Sequence, residues 1–144
     1  MGGVGTGKTH MTSALCTLAC ERRLEACFFT ALSLVMRLRR AHDDGKPGRE
    51  ASLIGKARPL VIDELGFLPL DADGAKLLFQ AFADAYKRRS AAIATNLRAQ
   101  QVGGSVFGDD RMAAAVIDRI VHRGKLVQLR GESRRGRHVL MREG

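Results

Sequence analysis

The chain has 144 residues, 45% of them hydrophobic and 27% charged, with a formal net charge of +9. That length suits one domain with a real core, and no apolar run approaches the length of a membrane span. So large a positive surplus favours polyanionic partners, although it serves equally well to offset bound nucleotide or to aid solubility.

The N-terminal stretch Gly2-Gly3-Val4-Gly5-Thr6-Gly7-Lys8-Thr9 fits G-x-x-x-x-G-K-[ST], the pattern of a phosphate-binding loop. Its glycines let the backbone curl until several N–H groups converge on one phosphate. Lys8 reaches the β- and γ-phosphates of a nucleoside triphosphate, and Thr9 offers a hydroxyl to Mg2+. The expected nucleotide-binding set is Gly2, Gly3, Val4, Gly5, Thr6, Gly7, Lys8, Thr9 and His10.

From Lys8 to about Arg23, the spacing of Met11, Ala14, Leu15, Leu18 and Ala19 predicts a helix with its N-terminal dipole facing the same anion. Cys16, Cys20 and Cys27 form no C-x-x-C pair or Cys/His cluster, so they read as small buried thiols. With no signal peptide in view, they suit a cytoplasmic protein. Residues 26–30 are a short apolar run suited to a buried strand. A helix is expected over 31–41, with Leu34, Val35 and Leu38 inward and Arg37, Arg39 and Arg40 at the rim. Residues 42–48 are rich in turn formers.

Leu60-Val61-Ile62 predicts a second buried strand, closed by Asp63-Glu64. Asp73 is placed to cap a helix running to about Arg88, with Leu77, Leu78, Ala81, Phe82 and Ala85 on one face. Residues 91–95 give a third strand, followed by Asn96, and 101–108 read as loop. Asp110 or Asp109 then caps a helix to about His122, striped by Met112, Val116 and Ile120. Residues 125–130 and 137–141 alternate like a final hairpin.

Helix and strand alternate, and the three strands are continuous apolar runs. That combination predicts an α/β domain with a mostly parallel sheet. Ligands of such sheets sit at the carboxyl ends of the strands, where Asp63, Glu64 and Asn96 fall. Asp63 is suited to hold Mg2+, and Glu64 to polarise an attacking water as general base. Asn96 is placed to orient that water or touch the γ-phosphate. Arg119 reads either as an ordinary exposed arginine or as a finger reaching nucleotide on an adjacent subunit, and Arg111 is a weaker candidate for that role. The basic groups Arg37, Arg39, Arg40 and Arg134, Arg135, Arg137 suit either phosphate contacts or a solvated face. With six Phe, one Tyr and no Trp, backbone tracking fits better than base stacking.

Five stretches stand together in order: Gly5-Thr6-Gly7-Lys8-Thr9-His10, Phe28-Phe29-Thr30-Ala31, Val61 to Leu70 (reading Val-Ile-Asp-Glu-Leu-Gly-Phe-Leu-Pro-Leu), Thr95-Asn96-Leu97, and Val106 to Ala115. The set resembles the IstB family, helper ATPases of bacterial insertion sequences. These are similar to the helicase loader DnaC and belong to the AAA+ class of phosphate-loop ATPases. The resemblance implies a three-layer sandwich over residues 1–144 that binds ATP and Mg2+. It also implies assembly of homo-oligomers on DNA and presentation of that DNA to the transposase of the same element. It carries Lys8 and Thr9 to nucleotide and metal, Asp63 and Glu64 to metal and hydrolysis, and Asn96 to the first sensor. It makes Arg119 the finger and adds weight to Arg37 and Arg40 as DNA contacts. Relatives lack a helical lid, and they carry a strand and a small domain before the phosphate loop. The expectation is therefore a fragment whose missing first strand belongs beside the strand ending in Thr95. A replicative helicase loader and a non-enzymatic DNA-binding remnant share these motifs and stand as the competing readings.

Overall fold

The computed structural model describes residues 1, 3, 5–88 and 90–130. Three parallel strands, β1 (Cys27–Thr30), β2 (Leu60–Leu65) and β3 (Ala91–Thr95), form a sheet in the order β1-β2-β3. Phe28 is in register with Val61 and Ile62 with Ile93. Helix α1 (Lys8–Glu21) precedes β1. Helices α2 (Ala31–Asp43) and α3 (Pro47–Lys56) join β1 to β2, and α4 (Ala72–Arg88) joins β2 to β3. A short α5 (Ala99–Val102), a π-helical turn (Gly103–Phe107) and α6 (Asp110–Arg123) follow.

The two crossovers step across the sheet in the same direction, and the right-handed rule puts their helices on one face. There α2, α3, α4 and α6 pack together, while α1 packs against the strands. The result is helix, sheet, helix. The main core lies under α2 and α4, where Leu34, Leu60, Ile62 and Leu78 are fully buried. Each such side chain contributes about 1.5–3 kcal/mol relative to exposure.

Local chemistry sets the helix ends. The Thr30 hydroxyl accepts the Ser33 N–H (3.1 Å) and starts α2 as the strand ends. Pro47 opens α3, where a missing N–H costs nothing. Asp109, the first of the two carboxylates allowed by the sequence pattern, caps α6 by accepting from Arg111 N (2.8 Å) and Met112 N (3.4 Å).

Several expectations change. α4 is capped by Asp71, whose Oδ1 accepts Gly74 N (2.9 Å), and Asp73 lies inside the first turn. Residues 47–56 are helical, and much of the expected loop over 101–108 is helical too. That segment buries Val102, Val106 and Phe107, and burial fixes a backbone that local propensity leaves open. On α1 the buried residues are Thr12 and Ala19, whereas Met11, Leu15 and Leu18 are exposed. Small side chains let the helix sit close to the sheet and leave the larger ones on the flanking arc. Cys20 is exposed and Cys16 and Cys27 only half-buried, so the thiols are not the fully buried groups expected, although Cys27 packs against the edge of the core. Leu129 N donates to Met1 O (2.7 Å) and the Met1 ammonium to Val127 O (2.8 Å), so 127–129 pair with residue 1. Residues 137–141, the other arm of the expected hairpin, lie outside the described residues, as do Arg134, Arg135 and Arg137. Among the described residues, β3 stands at the end of the sheet with one strand neighbour. No described helix is long and apolar enough to cross a membrane.

Candidate nucleotide site

The phosphate loop is built on two left-handed glycines, Gly5 (φ 78°) and Gly7 (φ 90°). Thr6 Oγ1 donates to Gly3 O (2.9 Å), and the Lys8 ammonium turns back onto the same carbonyl, so the loop closes on itself. Gly2 and Val4 lie outside the described residues. Gly7 is the N-cap of α1, no side chain caps that end, and no acid stands in its first turn. The positive end of the α1 dipole is thus matched by no acid of its own first turn, and a phosphate suits that end. Inside the helix, buried Thr12 bonds back to Lys8 O (3.1 Å) and Thr9 O (3.0 Å).

The chain leaves the end of α1 and enters the start of β1 within residues 22–26, so α1 runs opposite to the strands. Its N-terminus consequently lies at their carboxyl edge. Strand periodicity brings Asp63 there. Leu60 and Ile62 belong to the core under α2 and α4, so Val61 and Asp63 face α1. Asp63 is buried, and its Oδ1 accepts the Glu64 N–H (2.8 Å). Thr9 and His10 are exposed on the first turn of α1. A hydroxyl and one carboxylate beside phosphate oxygens are the donor set Mg2+ prefers. No cluster of three metal-ligating His, Cys, Asp or Glu residues exists among the described residues.

Between Ile62↔Ile93 and Leu65↔Thr95, β2 spends two residues against one on β3. This is a β-bulge, and sequence alternation alone does not reveal it. Glu64 sits in it with φ 57°, a left-handed backbone that costs a glutamate about 1–2 kcal/mol. The bulge reverses the parity of the strand, so Leu65 returns to the core. Glu64 is left exposed at the edge, beside a hollow of about 160 Å3 that Thr30, Leu32, Phe67 and Leu68 help to line. Strain of this kind gathers at functional positions. Asn96 is exposed directly after β3.

Arg119 is not drawn to this edge. Its guanidinium lies 5.3 Å from the centre of the Phe79 ring on α4, and its Nη1 is buried without a hydrogen-bond partner among the described residues. Arg111 is exposed at the start of α6. Arg37 pairs with Glu50 and stacks over Phe29 at 5.4 Å, so its charge is partly spent within the fold. Arg39 pairs with Asp71. Arg40 lines an open groove of about 630 Å3 between α2 and α3, together with Lys46 and Arg49. Those two were not singled out in sequence, because only the turn from α2 into α3 brings them beside Arg40.

Comparison with known proteins places this geometry. The family model described as "IstB-like ATP binding protein" matches residues 1–141. A protein of insertion sequence IS5376 from Geobacillus stearothermophilus, named for ATP binding, is 35% identical over 143 residues, covering 99% of this chain and 57% of its own. The corresponding protein of IS21 from Pseudomonas aeruginosa is 30% identical over 135 residues, covering 94% and 51%. The chain thus spans about half the length of these relatives. Among solved structures, the DnaC helicase loader superposes with a TM-score of 0.76 at 23% identity, over 90% of this chain and 75% of that one. AMPPCP-bound DnaA from Aquifex aeolicus gives 0.75 at 20%, over 98% and 42%. At such identities the superpositions establish the fold alone, a phosphate-loop α/β domain like theirs.

Proposed function

Because this chain belongs to the IstB-like family of ATP-binding proteins, we propose that it is an Mg2+-dependent ATPase that acts on DNA in transposition. The observation that carries the reading is the shared edge. The uncapped, glycine-built end of α1 and the bulged Asp63-Glu64 pair lie at the same side of the sheet.

Mg2+–ATP supplies the γ-phosphoryl group and the charge that polarises it. The loop N–H groups and Lys8 bind the phosphates. Thr9 and Asp63 hold the metal, and Asp63 is kept in place by the Glu64 N–H. Glu64, aimed outward by the bulge, accepts a proton from the attacking water, and Asn96 orients that water. Arg119 serves a neighbouring copy, so turnover rises with assembly on DNA. Arg40, Lys46 and Arg49 give that DNA a basic groove to follow. The partner is the transposase of the same element. Relatives matching nearly the whole chain are named for insertion sequences, whereas the helicase loader shares the fold at low identity; this supports transposition over helicase loading.

The test is ATP hydrolysis by the full chain with and without duplex DNA. Lys8→Ala abolishes binding of a fluorescent ATP analogue. Glu64→Gln keeps that binding and loses about 10²–10⁴-fold in turnover. Unchanged hydrolysis in Glu64→Gln would remove the general base from the scheme, and absent binding in the parent chain would leave only a basic DNA-binding domain.

A further inference from the structure

The bulge leaves a structural problem at the catalytic edge. Where β2 spends two residues against one, the regular ladder between β2 and β3 is interrupted, and the peptide groups just beyond it need other partners. One side chain supplies them. Thr95 is buried, and its Oγ1 donates to Leu65 O at 2.6 Å and accepts from Leu97 N at 3.0 Å. Leu65 directly follows Glu64, and Leu97 directly follows Asn96. A single hydroxyl therefore links the residue after the acid pair to the residue after the amide, using its donor and its acceptor at once.

The two loops also touch. Gly66 approaches the 96–97 turn so closely that a Cβ built on it would stand 2.2 Å from Leu97 Cδ1. The acid bulge and the amide turn thus behave as one body, pinned on one side by the Thr95 hydroxyl and packed on the other by Gly66 against Leu97.

We infer that Thr95 is a positioning residue for hydrolysis, holding Glu64 and Asn96 at a fixed separation around the attacking water. The inference rests on the ATPase reading given above. The Thr95 hydroxyl is engaged by Leu65 O and Leu97 N, so it acts through the two peptide groups it joins. Its effect belongs to turnover and not to nucleotide affinity, because the phosphate loop lies on a separate element. Misplacement of reacting groups by about 1 Å costs on the order of 10²-fold.

The experiment compares the full-length wild type with Thr95→Val and Thr95→Ser in steady-state ATP hydrolysis and in equilibrium binding of a fluorescent ATP analogue. Valine keeps the shape and removes the hydroxyl; serine keeps the hydroxyl. The expected result is a fall in kcat of about 10–100-fold for Thr95→Val, with KM and analogue affinity within about two-fold of wild type and kcat largely restored in Thr95→Ser. Circular dichroism and thermal melts identify a valine variant that does not fold; the inference is then carried by Thr95→Ser against Thr95→Ala, with the same split expected. Unchanged kcat in a folded Thr95→Val overturns the inference and leaves the ATPase reading standing. Equal losses in affinity and turnover, or no rescue by serine, also overturn it, since both indicate general disruption. A wild type that binds nucleotide but does not hydrolyse it defeats the ATPase reading itself, and the positioning role falls with it.

Discussion

Gly66→Ala is the sharpest mechanical test of the carboxyl edge of the sheet. Two separable terms oppose the added methyl. The first is backbone: Gly66 has φ 83°, and an L-residue with a Cβ pays about 1–2 kcal/mol in the left-handed region. The second is steric: the new Cβ meets Leu97 Cδ1 at 2.2 Å, Leu97 Cγ at 3.0 Å and Val106 Cγ2 at 3.3 Å. Carbon atoms rest about 3.5–4.0 Å apart, so Leu97 must retreat by more than an ångström. Overpacking of that kind adds about 1–3 kcal/mol. The sum, about 2–5 kcal/mol, is a large share of the 5–15 kcal/mol that holds a typical domain together. Urea denaturation measures it, and a double-mutant cycle divides it. In a Leu97→Ala background the clash largely disappears, whereas the backbone term stays. Gly66→Ala should therefore cost about 1–2 kcal/mol there, against the full amount in the parent. Equal costs in both backgrounds would show that the 65–66 turn and the 96–97 turn do not bear on one another.

Three further outcomes are expected. Glu64→Asn removes the carboxylate and suits the left-handed backbone better, so urea midpoints should rise by the equivalent of about 1 kcal/mol while hydrolysis is lost; a drop in stability would contradict the strain at this position. For DNA, Arg40→Ala should lower the slope of log affinity against log salt by about 0.9. Arg37→Ala should have the smaller effect because Glu50 engages it, and Glu50→Gln should tighten binding by releasing Arg37; the reverse order in filter-binding titrations would discount that ion pair. The Gly74 N–H holds the Asp71 carboxyl below its ordinary value; desolvation opposes it, and the Arg39 guanidinium adds to the lowering. A folded-state value below the unfolded one gives stability that is full above about pH 4 and lost as pH falls through the folded value. Asp71→Asn should flatten that acid limb in melting temperatures taken between about pH 2 and 6, and parallel curves would refute the assignment.

Much of the fold is legible in the chain because it is local. Gly5, Gly7, Lys8 and Thr9 announce a phosphate loop by their own backbone demands, and β3 occupies the five residues marked as apolar. The acids at 63–64 follow a strand, and a strand-ending acid falls on a predictable edge. What escapes the sequence depends on partners distant in the chain. Helix α3 opens on Pro47-Gly48, a pair that reads as a turn, and is only ten residues long, so it is easily taken for a continuation of the loop. The cap of α4 is a choice between Asp71 and Asp73, settled by which carboxylate reaches Gly74 N. Nothing in the run Ile62-Asp63-Glu64-Leu65 signals that β3 will offer one residue where β2 offers two.

That bulge also explains how two neighbouring acids come to share one edge. In an unbroken strand Asp63 and Glu64 would point to opposite faces, one toward α1 and the other into the apolar layer under α2 and α4. A glutamate forced into that layer would need to shed its charge or find a partner there. Inserting one residue lifts Glu64 out of the alternation and hands its inward place to Leu65, which is 2% exposed. The left-handed backbone at Glu64, the glycine at 66 and the Thr95 hydroxyl then follow as requirements of a single displacement. The strain is thus confined to the segment next to the candidate water site, while Val61 and Ile62 behind it stay fully buried and regular.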